Sequence, residues 1–296
     1  MQQPLVSKTQ AMLLTLFTPA LVVLAFPVAL FTQNAGDRYV VGLAVVKPPD
    51  CPCFVSRVTP ESPASAAGIM AGERLLAIDS TDVSALSLAK VLSLLSSDKP
   101  SSVALKLWRN GKEYGTVLKR EQLSVILARR SMRIVPQGLI VPSDSTELDI
   151  ERLSQTMSGG SRLVAHPFPA HVPLNNDLYH GGFALLILRD PDQVIATGIE
   201  NGPASRAGVR QGDLILAVNE TTLTGKAPVE IEALFFAENP RSVRLKIDRG
   251  GAVRDVEYRL EKVSEILAAN QLRLVDKHVV PRELADEDIP CLTGRK

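Results

Sequence analysis

Seventeen residues recur 140 positions apart, and that repeat constrains the fold more than any other feature. Pro63–Asp79 reads PASAAGIMAGERLLAID and Pro203–Asn219 reads PASRAGVRQGDLILAVN, identical at 8 of 17 positions. Chance at ordinary residue frequencies would give roughly one identity. The same offset aligns Tyr39 with Tyr179, Gly42 with Gly182, Val103 with Val243, Leu105 with Leu245, Arg109 with Arg249 and Gly111 with Gly251, without a gap. Leu123–Val135 then matches Val263–Val275. After a shift of one residue Val141-Pro142 matches Val280-Pro281, and Asp149-Ile150 matches Asp288-Ile289. Such a chain folds as two copies of one unit of about 115 residues, an ordinary domain size.

Each copy reads as α+β. Short apolar strands are expected at Gly42–Val46 and Phe183–Leu188, followed by a turn and a second strand ending near Val58 or Ile199. The Pro-Ala-Ser-x-Ala-Gly stretch is a short helix, with Pro at its first turn and Gly past its end. Strands follow at Leu75–Ile78 and Leu214–Val218, amphipathic helices at Ser87–Leu95 and Val229–Ala237, and alternating strands at Val103–Trp108 and Val243–Ile247. Arg-Asn-Gly-Lys and Arg-Gly-Gly-Ala are tight hairpin turns. Beyond the last strand, Leu123, Ile126 and Leu127, like Val263, Ile266 and Leu267, fall at helical spacing.

The chain divides into a cytoplasmic N-terminus (1–10), a transmembrane anchor or signal sequence (11–31), a first unit (38–121) with a helix and extended tail (122–153), a linker (154–177), a second unit (178–261) and its own tail (262–296). The linker assignment rests on SQTMSGGSRLVAHPFPAHVPLNND, rich in Pro, Ser, Gly and Asn and without periodicity.

The arrangement of strand, SPA-x-x-AG-Φ-x-x-G-(D/E)-x-Φ-L-x-(I/V)-(D/N), helix and V-x-L-x-Φ-x-R-x-G resembles the PDZ domain, in the form found beside bacterial periplasmic proteases. It is carried by Ser62-Pro63-Ala64, Ala67-Gly68-Ile69, Gly72-Glu73 and Leu75–Asp79, and by Gly202-Pro203-Ala204, Ala207-Gly208-Val209, Gly212-Asp213 and Leu214–Asn219. The resemblance covers about Tyr39–Arg120 and Tyr179–Glu261. It implies two partly open β-barrels or sandwiches capped by helices; the one transmembrane helix expected before them rests on the apolar run at 11–31 and not on the resemblance. The resemblance also implies binding of an extended peptide, usually a free C-terminus, as an added strand on an open sheet edge. The terminal carboxylate would sit in a nest of backbone N–H groups, here Val40-Val41-Gly42-Leu43 and His180-Gly181-Gly182-Phe183. The glycines would let the ligand approach without a Cβ in the way. Ala44-Val45-Val46 and Ala184-Leu185-Leu186 would pair with the ligand strand. Leu88 and Leu92, and Val229 and Ala233, would form the helical wall. The last ligand side chain should be apolar, because neither loop carries a charged residue. His180 could change charge near neutral pH.

Ala11–Phe31 holds 21 residues without a charge, about 30 Å as a helix and long enough to cross a bilayer. Lys8 precedes it, which leaves the N-terminus inside and the bulk in the periplasm or cell exterior. The alternative is secretion after signal cleavage, against which stand the length of the run and Gln33 at the −3 position before Ala35. With 33 basic against 32 acidic residues, there is no basic excess for nucleic acid.

No HExxH motif exists. Ser158-Gly159-Gly160-Ser161 reads as a spacer and not as an oxyanion turn, and Ser124 and Ser264 as surface residues. His166 and His171 lack a rigid frame for metal, so no cofactor is expected. Cys51-Pro52-Cys53 is too close for an unstrained internal disulfide. The corresponding Pro191-Asp192-Gln193 has no Cys, so Cys51 and Cys53 read as free or oxidised turn cysteines and Cys291 as a spare thiol. The expected protein is a non-enzymatic, membrane-anchored adaptor whose partners are C-termini or extended peptides of other proteins and the lipid bilayer through 11–31. Alternatives are a regulatory subunit or degenerate relative of a PDZ-containing protease, which would make a protease a partner, and a secretion-system assembly component. The repeated tails are expected to pack on their own unit or on the neighbouring one.

Overall fold

The computed structural model describes residues 38–136, 139–157, 164–166, 175–189, 192–198, 201–276 and 278–293. The apolar segment 11–31, the Ser158–Ser161 spacer and His171 lie outside these residues. Among the described residues no helix is long and apolar enough to cross a membrane.

The first unit runs β1 (Tyr39–Val40), β2 (Leu43–Val46), β3 (Cys53–Val58), α1 (Pro63–Ala66), β4 (Arg74–Ile78), β5 (Thr81–Asp82), α2 (Leu88–Leu95), β6 (Ser102–Arg109), β7 (Lys112–Lys119) and β8 (Glu121–Gln122). Its tail holds α3 (Leu123–Arg129), β9 (Met132–Ile134), β10 (Ile140–Pro142) and α4 (Glu147–Met157). A short strand, β11 (Val164–His166), lies in the expected linker. The second unit repeats the order as β12 (Tyr179–His180), β13 (Phe183–Arg189), β14 (Asp192–Gly198), α5 (Pro203–Arg206), β15 (Leu214–Val218), β16 (Thr221–Thr222), α6 (Pro228–Ala233), β17 (Phe236–Ala237), β18 (Ser242–Arg249), β19 (Ala252–Arg259) and β20 (Glu261–Lys262). Its tail holds α7 (Val263–Ala269), β21 (Leu272–Val275), β22 (His278–Pro281), a 3-10 turn (Asp286–Asp288) and α8 (Ile289–Thr293).

Local chemistry explains these boundaries. Ser62 caps α1 by accepting from the Ser65 N–H at 3.3 Å, with Pro63 next at the first helical position. The β6–β7 turn places Asn110 at φ 49 and Gly111 at φ 80, the two left-handed residues that a two-residue hairpin wants, and Gly250 and Gly251 repeat it at φ 59 and 87. In α2, Val91 and Leu95 share one face and are buried against β4 and β6 residues Ile78, Leu105 and Leu107. Ile231 and Phe235 do the same against Val218, Leu245 and Ile247. Full burial of each such side chain stabilises the fold by about 1.5–3 kcal/mol.

The main sheets run β2-β3-β4-β6-β7 and β11-β13-β14-β15-β18-β19. They are mixed with helices and open, without the barrel closure the resemblance allows. The left-handed turn at Gly42 sends β1 off to pair with β8 as a separate ribbon, so the strand that could close the sheet leaves it.

Each tail is shared between the two units. Its first part stays at home: α3 with β9 and β10 packs Leu123, Leu127 and Ile140 against Val40. Its second part crosses over. Val141, Ile150 and Leu153 bury against Ile195 and Leu214 of the second unit, while Val280, Leu284 and Leu292 bury against Phe54 and Val46 of the first. The repeat-related acids Asp149 and Asp288, both 4 % exposed, anchor these crossings. Asp149 accepts from the Gly250 N–H at 2.9 Å, and Asp288 takes a two-pronged bond from Arg74 at 2.6 and 2.9 Å. Arg74 in turn lies over the Trp108 ring, 4.3 Å from its centroid. Arg152 pairs with Asp248 at 2.8 Å, and Arg210 pairs with Asp144.

Cys51 and Cys291 form a disulfide across the second crossing, with Cα atoms 5.9 Å apart. The spare-thiol expectation for Cys291 fails because the crossing brings together two residues 240 positions apart. Cys53 is the buried free thiol, and burial pushes its pKa up to about 11.

Candidate functional site

The loop between β1 and β2 owes its shape to contacts with α1. The Val41 carbonyl accepts from the Ala64 N–H at 2.9 Å, and the Gly42 carbonyl from the Thr59 N–H at 2.8 Å. In a trans peptide the carbonyl and the following N–H point to opposite sides. The N–H groups of Gly42 and Leu43 therefore point away from α1 and the β2–β3 end. A Cβ on Gly42 would stand 2.2 Å from the Ser62 Cβ. The glycine is thus required by the loop's seat on α1, not by the ligand's approach. Gly182 repeats this against Gly202 and Pro203, with hypothetical Cβ contacts of 2.7 and 2.8 Å.

Beyond the loop, β2 is the end strand of its sheet and pairs only with β3 among the described residues. Val41 and Leu43 are core residues, whereas Val40, Ala44, Val45 and Val46 are half-buried. Across from β2, α2 turns Val91 and Leu95 inward. Leu88 is 36 % exposed, and Leu92, one turn along the same face, is half-buried. Among the described residues the outer edge of β2 carries no strand; α2, with Leu88 and Leu92, packs beside β2, and the outward amides of Gly42 and Leu43 lie at one end. Lys47 closes the other end: its Nζ donates to the carbonyls of Val83, Ser84 and Leu86 at 2.8, 2.5 and 2.6 Å, tying the exit of β2 to the segment entering α2. Sequence reasoning missed Lys47, although its parity with Leu43 and Val45 places it on the inward face of the strand.

The second unit departs from this pattern. β11 pairs antiparallel with β13, Val164 opposite Ile187, Ala165 opposite Leu186 and His166 opposite Leu185. The edge expected to be vacant is occupied by the chain itself. Gly181 bonds through its carbonyl to the Ala204 N–H at 3.0 Å, as Val41 does to Ala64, but the Gly182 N–H already donates to His180 Nδ1 at 3.1 Å. Phe183 and Leu185 are buried core residues, and Ala184 pairs through its backbone with Thr197. Val229 is 47 % exposed and Ala233 is exposed, but the counterparts of Leu88 and Leu92 at the repeat offset are Pro228 and Glu232. α6 is also shorter, because the chain leaves the helix to pair β17 with β12. At the far end a small cavity is lined by Ile187, Leu223, Lys226 and Ile231; Ile187 is the counterpart of Lys47.

His180 does not titrate near neutrality. It is 3 % exposed, with ring centroids 4.4 Å from Phe236 and 6.2 Å from Phe183, and burial pushes its pKa down to about 3.

One buried acid recurs beside each α1-type helix. Glu73 accepts from the Met70 N–H at 2.8 Å and from Arg109 Nε at 2.7 Å, while Arg109 also reaches the Gly68 carbonyl at 2.5 Å. Asp213, Arg210, Arg249 and Gly208 repeat these contacts. Burial first, then the hydrogen bond to Glu73, raises the Tyr114 pKa to about 12. This is framework chemistry: it fixes the turn after the short helix on which the loop rests.

The PDZ domain family matches residues 54–109 and 194–249. A stretch of 73 residues, 24 % of this chain, is 34 % identical to a probable CtpA-like serine protease of Staphylococcus aureus. The matched stretch spans 15 % of that relative's length. Among solved structures, a photosystem II D1 C-terminal processing protease is similar at 28 % identity over 31 % of this chain and 25 % of its own, with a TM-score of 0.29. The PDZ domain of a carboxy-terminal protease from Vibrio cholerae, solved in complex with a peptide, is 20 % identical over 28 % of this chain and 93 % of its own, TM-score 0.26. A PDZ domain protein from Parabacteroides distasonis is 11 % identical over 75 % of this chain and 97 % of its own, TM-score 0.32. With the duplicated motif, the open sheets and both family matches falling on the two repeats, this chain carries two PDZ domains in tandem.

Proposed function

We propose that the protein is a membrane-anchored adaptor that captures the C-terminal or extended segments of extracytoplasmic proteins by strand addition. The observation that carries this reading is the groove of the first unit, where the end strand β2 runs from the outward amides of Gly42 and Leu43 past Leu88 and Leu92. An incoming strand antiparallel to β2 would bring its carboxylate to those amides, and its last side chain would meet an apolar wall. The Lys47 bridge bounds the far end, so the groove suits a short segment of about four residues, the length of β2. The Cys51–Cys291 disulfide suits an oxidising compartment outside the cytoplasm, as does an anchor at 11–31. A second reading, a regulatory relative of a protease, is favoured by the match to the PDZ-containing part of CtpA-like proteases.

The test is a library of peptides with free C-termini screened against the full chain. Peptides ending in Val, Leu or Ile should bind, and amidation of their C-terminus should weaken them. Leu88→Lys with Leu92→Lys should weaken binding by about tenfold or more, with little effect on stability because these side chains face the groove. Unchanged affinity in that double variant would remove the groove from the account.

A further inference from the structure

We infer that the second PDZ domain is a self-liganded copy: the chain's own Val164–His166 strand fills its peptide groove, and only the first domain receives partners. The inference rests on the peptide-binding reading and adds which of the two grooves is open. Three observations meet there. β11 lies on the outer edge of β13 in the antiparallel sense. From its register, Val164 opposite Ile187 and His166 opposite Leu185, the strand runs toward the loop that precedes β13, the polarity a captured C-terminus would have. One of the two nest amides is spent as well. The Gly182 N–H, which would meet a carboxylate, is bonded to His180 Nδ1 at 3.1 Å. In the first domain Val40 stands at that position and offers no side-chain acceptor. The wall differs too: where the first domain presents Leu88 and Leu92, the second has Pro228 and a buried Glu232.

An internal segment also needs no carboxylate, since the chain goes on past His166. A nest whose amide is satisfied by a neutral imidazole, buried and stacked on Phe236, fits such an occupant. A segment tethered a few residues from its site competes at an effective concentration of about millimolar. A free peptide must exceed that local competition to enter, so the tether protects the second groove from ordinary C-termini.

The experiment compares residue-level amide exchange in the full chain and in a variant carrying Ala165→Pro with His166→Pro. Successive strand residues aim their N–H groups to opposite sides, so one of the two prolines removes a donor facing β13 whichever way β11 lies. In the unaltered protein, the amides of β13 that face away from β14 should be protected. In the variant they should exchange about tenfold faster or more, while β18 and β19 amides stay unchanged. Unprotected outer β13 amides in the unaltered protein, or equal exchange in both forms, would overturn the inference without reference to any ligand. Next, a pool of hexapeptides with free C-termini ending in Val, Leu or Ile is added to both forms. Protection of β2 alone in the unaltered protein, and of β2 and β13 in the variant, is the expected result. Protection of both edges in the unaltered protein would sink self-occupation and leave peptide binding standing. Protection of neither edge in either form would remove the peptide-binding reading, and with it the inference that the first domain receives partners.

Discussion

Gly42 illustrates how one residue can be right for a reason other than the expected one. The repeat marks it as a loop glycine, and a ligand's approach explains a missing Cβ; the nearest obstacle is instead the Ser62 side chain at 2.2 Å, on the loop's inner side. A φ of 80 adds a backbone preference that a side chain would strain. Gly42→Ala should therefore destabilise the first domain by about 2–4 kcal/mol in urea unfolding. Adding Ser62→Gly, the residue that Gly202 already supplies in the second domain, should recover part of that loss but not the share due to φ. Full recovery would show that sterics alone matter. His180 makes a second case. Its ordinary pKa is about 6.5, and burial holds it near 3 in the fold. Between these values the unfolded chain binds a proton that the folded one does not. The stability linked to His180 is thus present above pH 6.5 and is lost as pH falls toward 3. Urea midpoints of the second domain should drop between pH 7 and 4, and His180→Asn, which keeps an acceptor for the Gly182 N–H, should flatten that slope. An equal slope in both proteins would assign the acid sensitivity elsewhere.

At the scale of elements, the strands and helices inside each repeat were legible because periodicity and turn chemistry point to the same answer. Val103, Leu105 and Leu107 alternate, Val91 and Leu95 sit one helical turn apart, and Asn110-Gly111 closes the hairpin between β6 and β7. The repeat then carried the assignment to the second copy. It carried less well where the copies diverge. α6 was expected to run to Ala237, but Phe236 is worth more as a strand partner of His180, stacked on its ring, than as a further helical residue. Val229 and Ala233 follow the helical pattern yet lie one position round from the counterparts of Leu88 and Leu92. β11 was hidden because three residues are too few for a periodic signal, and its strand character comes entirely from the β13 edge that it joins. Lys47 was hidden for the opposite reason: a lysine on the inward face reads as a strand end until three carbonyls are found around its ammonium.

At the scale of the molecule, the crossing tails turn two domains into one body, and nothing in the sequence pattern distinguishes packing at home from packing across. The glycines register it. A Cβ on Gly72 would meet the Leu284 N at 2.4 Å, and one on Gly250 the Thr146 Cγ2 at 2.4 Å, so each domain keeps a bare backbone where the other domain's tail lands. The two crossings are not held alike. The first relies on ion pairs of Arg152 and Arg210, the second on Arg74 with Asp288 and on the Cys51–Cys291 bond. Reduction alone should lower the stability of the assembled chain by about 2–4 kcal/mol, the usual worth of a native disulfide. It should leave the tail docked, because Val280, Leu284 and Leu292 remain buried on Phe54 and Asp288 stays paired with Arg74. Arg74→Ala under oxidising conditions strands the buried Asp288 carboxylate, yet the covalent link keeps the tail close. Only the two together, Arg74→Ala with Cys291→Ser, should free it. Amide exchange at Leu284–Leu292 should then rise by orders of magnitude while the β21–β22 and β6 amides hold. If Cys291→Ser by itself produces that release, the disulfide is the principal tie and the ion pair merely decorates it; if the double variant remains protected, apolar packing on Phe54 suffices to join the domains.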